Sequence, residues 1–463
     1  MNDRVPFGRT RHDSGRRRER GARALLDRRV GGTGVRMTLQ QVSAYLLLLL
    51  MPLSVALPLV RPLRNGIHWL FVTPAIEPAD LPALLLVLLT WLQPRHALRQ
   101  RGRAGLAAIL AALAALGLLS TVESWLPSLA VSFTLRWALA AAVCWALVAS
   151  DLRPERLVAV LVLGLSVQSL IAIDQVILQG PLGLPGELAL PPNALGASSV
   201  WLGSRNWVRG YGLTFHPNVL GGFLAVGLIL ALPLLNRPLA RFAWWLMSLA
   251  LLSTFSRSAL LAAALILPLV VLWLWRHDRR LRQGLAITLG VAVCALSGAG
   301  WVWRGPIGAR LGVQPPDAAV SSSVPASMLE QLKRDPRLPL NAIALHLIAE
   351  HPLLGIGAGN SPLAVKREHP VPHYPHNVAL MLGAEVGVGG AVLWLALLGV
   401  ALWRMRHAPS PVEPWLVAGV GALAVLQIIG LLDCYPWSLN AGRMLTVTVL
   451  ALIETTSRRD RRE

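Results

Sequence analysis

Long runs of Leu, Ala and Val recur along the chain from Val42 to Ile453, broken by short polar or Pro/Gly-rich gaps. A helix needs such runs to cross about 30 Å of hydrocarbon, and roughly twelve candidates can be counted. They fall near 42–60, 79–94, 104–120, 128–150, 157–178, 217–235, 242–255, 258–275, 284–301, 376–402, 415–432 and 441–456. A membrane barrel would instead show segments of about ten residues alternating apolar and polar. The pattern predicts an all-α polytopic integral membrane protein with about 12 transmembrane helices.

Composition agrees: 54% of residues are hydrophobic and 14% charged, a balance foreign to soluble domains of this length. The net charge of +20 raises the question of nucleic acid, but its distribution answers it. Arginines cluster in alternate gaps: the tail from Arg16 to Arg29, Arg95 to Arg103, Arg153 and Arg156, Arg237 and Arg241, Arg276 to Arg282, Arg404 and Arg406, and Arg458 to Arg462. These are the cytosolic gaps of a twelve-span chain with both ends in the cytosol, as the positive-inside rule requires. Arg61 and Arg64 are exceptions. The expected organisation is a cytosolic Arg-rich tail (1–37), a membrane domain (38–456) and a short basic tail (457–463). The first tail reads as an orientation signal near anionic lipid, or alternatively as a partner-binding arm. A cleaved signal peptide does not fit, because the basic stretch is too long and too far from its apolar run. No nucleic-acid partner is expected.

Cys144, Cys294 and Cys434 form no close-spaced pair, so neither a disulfide framework nor a metal motif is visible. Neither a Walker pattern nor a Rossmann fingerprint occurs, and no cofactor is expected.

Two exoplasmic gaps are long, 179–216 and 302–375, and long loops are where chemistry gathers. The second contains a predicted helical stretch near 338–349. The stretch HYPHNVALMLGAEVGVGG begins with His373, His376 and Asn377. As one helix, positions 376, 380, 383, 387 and 390 share a stripe of His, Leu and three Gly, and small residues let a neighbouring helix approach closely. Two readings fit the polar start: an interfacial helix cap, or a site. Glu385 lies on the opposite face and is expected to meet a polar group inside the bundle.

In WVRGYGLTFHPNVLGG, Arg209 precedes a Gly-rich turn and Asn218 follows a proline at a helix start. Arg257 stands in a tight turn between two spans on the side where positive charge is scarce. Lys333, Arg334 and Arg337, then Lys366 and Arg367, populate the second loop. Guanidinium holds phosphate oxygens bidentately, and histidine exchanges a proton near neutral pH. The set fits transfer from a phosphate leaving group to a hydroxyl. A site on the far face implies a donor that has crossed the membrane, most simply a lipid-linked diphosphate.

His376-Asn377, nine residues, then Gly387-Val388-Gly389-Gly390 resembles the HN-x9-GxxG signature of the O-antigen ligase and O-antigen polymerase superfamily. RGYGLTFHPN, Ser256-Arg257, HPLLGIGAGN and DCYPWSLNAGR extend the likeness over roughly 207–443. The resemblance implies metal-independent, inverting glycosyl transfer from an undecaprenyl-diphosphate-linked glycan in the inner membrane. It implies a lipid A core, or another surface glycan, as acceptor. It makes His376 resemble the general base and Arg209 a ligand of the donor diphosphate. Arg337 fits the second essential arginine best, with Arg334 close by, and Arg257 would shape the electropositive cavity. Asn218, Asn377 and His373 join Arg257 and Arg334 as candidate substrate-binding residues. Ligase and polymerase share these motifs. A transporter of anionic lipid or glycan is the alternative from another class, although its charges should run through the depth of the bundle.

Overall fold

The computed structural model describes residues 38–59, 73–93, 105–150, 152–188, 191, 198–202, 205–311, 337–368 and 373–459. The chain divides into Met1–Thr38 and Leu39–Glu463. Only Thr38 of the first unit is described, and the second carries everything that follows. The tail arginines, Arg61, Arg64 and the 94–104 cluster lie outside the described residues, as does Arg334.

The second unit is all-α and belongs in a membrane. In chain order it contains α1 Leu39–Leu50, a small β1–β2 pair (Leu57–Pro58, Ala75–Ile76), α2 Asp80–Trp91, α3 Gly105–Leu119, α4 Pro127–Ala149 and α5 Pro154–Leu178. A hairpin follows, β3 Ser199–Leu202 and β4 Arg205–Val208, and then α6 Pro217–Ala231, α7 Pro238–Ser253, α8 Arg257–His277, α9 Arg282–Val302, α10 Arg304–Leu311, α11 Arg337–Glu350 and α12 Ser361–Glu368. The chain ends with α13 Val378–Val386, α14 Val388–Arg406, α15 Pro414–Leu432, α16 Tyr435–Ser438 and α17 Asn440–Arg459.

Prolines open α4, α5, α6, α7 and α15, where the missing N–H has no helical partner anyway. Among the described residues, eight helices are long and apolar enough to cross a membrane. The other four predicted positions are helical at least in part, and the one near 42–60 is helical only to Leu50 before the chain runs into β1. Three of them, α1, α2 and α7, are shorter apolar helices, and α17 carries Arg443 and Glu454. The predicted stretch near 338–349 is α11.

One expectation fails. The span from 376 to 402 is two helices, because Gly387 adopts φ +80° and ends α13 before α14 begins. His376 precedes the helix instead of forming its first turn, so the predicted stripe does not exist. A Cβ at Gly387 would stand 2.8 Å from the Pro352 carbonyl oxygen and closer still to that of Leu353. The glycine therefore admits the HPLLGIGAGN turn, not a neighbouring helix. Glu385 is buried and accepts from the Ser361 backbone N–H at 3.4 Å, as its predicted polar partnership requires.

Burial locates the centre of the bundle. The apolar window of α6 is 94% buried and that of α15 is 72% buried, against 17% in α9. Such packing joins helices through close van der Waals contact, since lipid is as apolar as the core. At one end of the bundle, Arg404 pairs with Glu454 at 2.9 Å, and Glu454 accepts from the Leu106 N–H at 3.1 Å. The start of α6, the start of α8 and the end of α15 meet at the opposite end, where the site is built.

Candidate active site

The β3–β4 hairpin delivers Arg209 directly after Val208, which pairs with Ser199. The next turn is pinned by α5: Gln175 Oε1 accepts from the Tyr211 and Gly212 N–H groups, each at 2.9 Å, and Gln168 Oε1 accepts from Leu213 at 2.7 Å. Arg209 is 2% exposed and its guanidinium is fixed on three sides. Nε donates to the Thr254 carbonyl (2.8 Å), Nη1 to Ser198 Oγ (2.7 Å) and Nη2 to Asn218 Oδ1 (2.6 Å). Burial and the neighbouring charge of Arg310 press its pKa down.

Asn218, in the first turn of α6, turns its Nδ2 to Asp433 Oδ2 at 3.0 Å. Asp433 also lies 3.4 Å from His376 Nδ1 and 3.8 Å from Arg337 Nη2. At 3.4 Å the His376 contact is in ion-pair range without an aligned hydrogen bond; such contacts tighten when substrate binds. Burial pushes the Asp433 carboxyl up, but His376 and Arg337 outweigh it and hold the group well below the ordinary carboxylate range. Asp433 is therefore ionised and can orient the imidazole.

His216 caps α6 by accepting the Asn218 N–H at Nδ1 (3.1 Å). Burial, with the charge of Arg209, lowers its pKa to about 3, so it is neutral at pH 7. His373 stacks on His376 at 4.7 Å. These groups line a cavity of about 100 Å³ between the α6 start and the Asp433 connector.

Two further arginines, Arg257 and Arg310, lie near enough to Arg209 to depress its pKa, although neither lines the cavity. Arg257 opens α8 and is exposed; a Cβ on Gly221 would stand 2.9 Å from Ser256 Cβ, so that glycine lets the α8 start press against α6. Arg310, which no sequence pattern singled out, donates to the Phe255 carbonyl at 3.3 Å. Its pKa is lowered by burial and then by the charges of Arg257 and Arg337.

Of the predicted residues, Arg209, Asn218, Arg337, His373 and His376 gather around Asp433. Asn377 serves the cap reading: its Oδ1 accepts from the Leu380 N–H at 3.0 Å and its Nδ2 donates to the Leu431 carbonyl at 3.3 Å. Asp433 itself was not assigned from sequence. Cys434, expected as an isolated thiol, lies in the site wall.

The ligand atoms of His373, His376 and Cys434 come within 4.8 Å of one another. A tetrahedral zinc with bonds of about 2.0–2.3 Å needs donors nearer about 3.3–3.8 Å. Burial and the Asp433 charge also push the Cys434 thiol up, keeping it protonated. The trio fits a metal poorly.

The family model described as O-Antigen ligase matches residues 242–395, which include Arg257, Arg310, Arg337, His373 and His376. The chain is also 27% identical over 228 residues to an O-antigen ligase of Pseudomonas aeruginosa strain PAO1, covering 46% of this chain and 49% of that relative. The chain thus spans about half the length of the curated relative it matches. The His-Asn signature stands at the end of an all-α membrane bundle, and over residues 242–395 the chain is similar to the O-antigen ligase family.

Proposed function

We propose that this protein transfers a glycan from an undecaprenyl-diphosphate carrier to an acceptor hydroxyl, with inversion and without a metal. The observation that carries the reading is the continuous chain His376–Asp433–Asn218–Arg209, which joins a base in the cavity wall to a guanidinium buried behind it. The acceptor oxygen attacks the anomeric carbon as its proton passes to His376, and the bond from that carbon to the diphosphate oxygen breaks. Asp433 stabilises the imidazolium that forms. Arg209, with Arg257, Arg310 and Arg337, offsets the charge that develops on the leaving diphosphate, commonly the largest catalytic contribution. A positioned base adds about 10²- to 10⁴-fold.

The described basic gaps, including Arg237 and Arg404, lie at the opposite end of the bundle. The positive-inside rule then turns the site toward the exoplasmic face of the inner membrane, where a translocated lipid-linked donor is available. The acceptor of this reading is the lipid A core. The name of the relative favours it over a second lipid-linked unit, which would make the protein a polymerase.

Reconstitution with an undecaprenyl-diphosphate-linked glycan tests the reading, with a lipid A core and a second lipid-linked unit offered separately. Glycan on the core is the expected product. A ladder of lipid-linked lengths would assign the polymerase instead. If no product forms and labelled lipid-linked glycan changes leaflet, the protein is a transporter.

A further inference from the structure

A second cavity of about 40 Å³ shares Phe215, Ser438 and Leu439 as wall with the cavity of His376. Its interior is polar in a different way. Arg136 lies 3.8 Å from Glu77 and 3.7 Å from Asp80, and also donates to the Ala75 carbonyl. Asn440 Nδ2 donates to Asp80 Oδ1 at 2.8 Å. Arg443 spends Nη1 on the carbonyls of Trp437 (2.7 Å) and Ser438 (2.9 Å), and its guanidinium stands 6.0 Å from the Phe133 ring centre.

Four buried atoms on residues lining this cavity have no hydrogen-bond partner among the described residues: Thr73 Oγ1, Ser438 Oγ, Asn440 Oδ1 and Arg443 Nε. Their residues are 6%, 7%, 3% and 2% exposed. An unpaired buried polar group costs about 1–3 kcal/mol, so the arrangement is suited to a ligand that both donates and accepts. A phosphate only accepts, and Glu77 and Asp80 oppose it; a cation meets Arg136 and Arg443. A hydroxyl satisfies both kinds of group, and Phe133 and Phe215 offer apolar surface to sugar C–H bonds.

We infer that this pocket binds the hydroxyl-bearing edge of the acceptor's terminal sugar. The inference rests on the glycan-transfer reading and names the second substrate's subsite within it. The volume admits a few hydroxyl-sized groups and not a ring. The sugar ring therefore lies across the shared wall, with another of its hydroxyls turned toward His376. Donor and acceptor then occupy chemically distinct halves of one site: arginine-rich for the diphosphate, mixed carboxylate, amide and arginine for the sugar.

The test is steady-state transfer by the reconstituted full chain, using a lipid A core acceptor and its deoxy analogues. Thr73→Val and Asn440→Ala are compared with wild type, each first checked for an unchanged melting temperature. The acceptor KM rises about 10-fold or more in each variant while the donor KM stays within about twofold. Removing the hydroxyl that Thr73 binds raises the wild-type KM by a similar factor but leaves that of Thr73→Val unchanged, an outcome a purely structural role does not produce. Unchanged acceptor KM values in both variants overturn the assignment, as does a parallel rise in the donor KM. Absence of any glycan product from wild type overturns the underlying reading instead.

Discussion

Asn218 donates to Asp433 at 3.0 Å while its own carbonyl oxygen takes the Arg209 guanidinium at 2.6 Å. One side chain therefore fixes both the carboxylate beside the base and the arginine assigned to the donor. Asn218→Ala leaves a buried guanidinium N–H and a buried carboxylate oxygen each short of a partner, at a cost of about 1–3 kcal/mol. Both donor affinity and turnover fall, each about 10-fold or more. Donor binding and single-turnover rates measured on the same preparation show whether the two losses travel together.

Asp433→Asn keeps the shape and removes the charge that orients His376. In a comparable base–carboxylate pair, the same exchange lowers turnover by about 10⁴-fold. The variant loses about 10²- to 10⁴-fold in kcat, with donor KM changed by less than about threefold. An equal loss in donor binding would move Asp433 from the base to the diphosphate.

Arg209→Lys retains a charge but not the fork, and lysine cannot reach Ser198, Asn218 and the Thr254 carbonyl together. Donor KM rises at least about 10-fold. Full activity with full donor affinity in this variant contradicts bidentate holding of the diphosphate.

Gly387→Ala is strained twice, by a φ of +80° and by the Pro352 and Leu353 carbonyl oxygens. Destabilisation of more than about 1 kcal/mol follows, visible as a lower melting temperature in detergent. Loss of transfer accompanies it, because the break between α13 and α14 seats the turn whose Ile356 and Gly357 N–H groups donate to the Ala384 and Glu385 carbonyls of the helix that follows His376.

Glu77 supplies a pH dependence. Burial raises its pKa from 4.5 to about 7, although the Arg136 charge pulls it down. The native state therefore binds more protons than the unfolded chain between about pH 4.5 and 7, and stability rises as pH falls through that window. Melting temperatures from pH 8 to pH 5 show this gain in wild type, and Glu77→Gln removes it. Equal slopes in the two proteins would show that the carboxyl titrates normally.

The helices were legible because their apolar runs and opening prolines are local signals. The break at Gly387 was not: a glycine in an apolar run reads as a small packing residue, and only the 352–353 carbonyls pressing on it reveal the positive φ. His376 and Arg209 were legible as candidates from residue type and motif. Asp433 did not, since a lone carboxylate at the end of an apolar run has no partner at any sequence spacing; its partners come from the starts of α6, α11 and α13. The DCYPWSLNAGR stretch was a signal for it through family resemblance alone. Arg310 stood in a long loop with several other basic residues, and nothing local distinguished it. Asn377 shows the reverse case, where simple capping chemistry accounts for both of its observed hydrogen bonds.

The most direct test of the central claim compares wild type with His376→Ala in single-turnover transfer from an undecaprenyl-diphosphate-linked glycan to lipid A core. A metal chelator is present throughout, and donor binding and melting temperature are measured alongside. The account predicts metal-independent transfer by wild type and a fall of about 10²-fold or more in the variant, with folding and donor binding retained. An unchanged rate in a folded His376→Ala protein, or wild-type activity that the chelator abolishes, would contradict it.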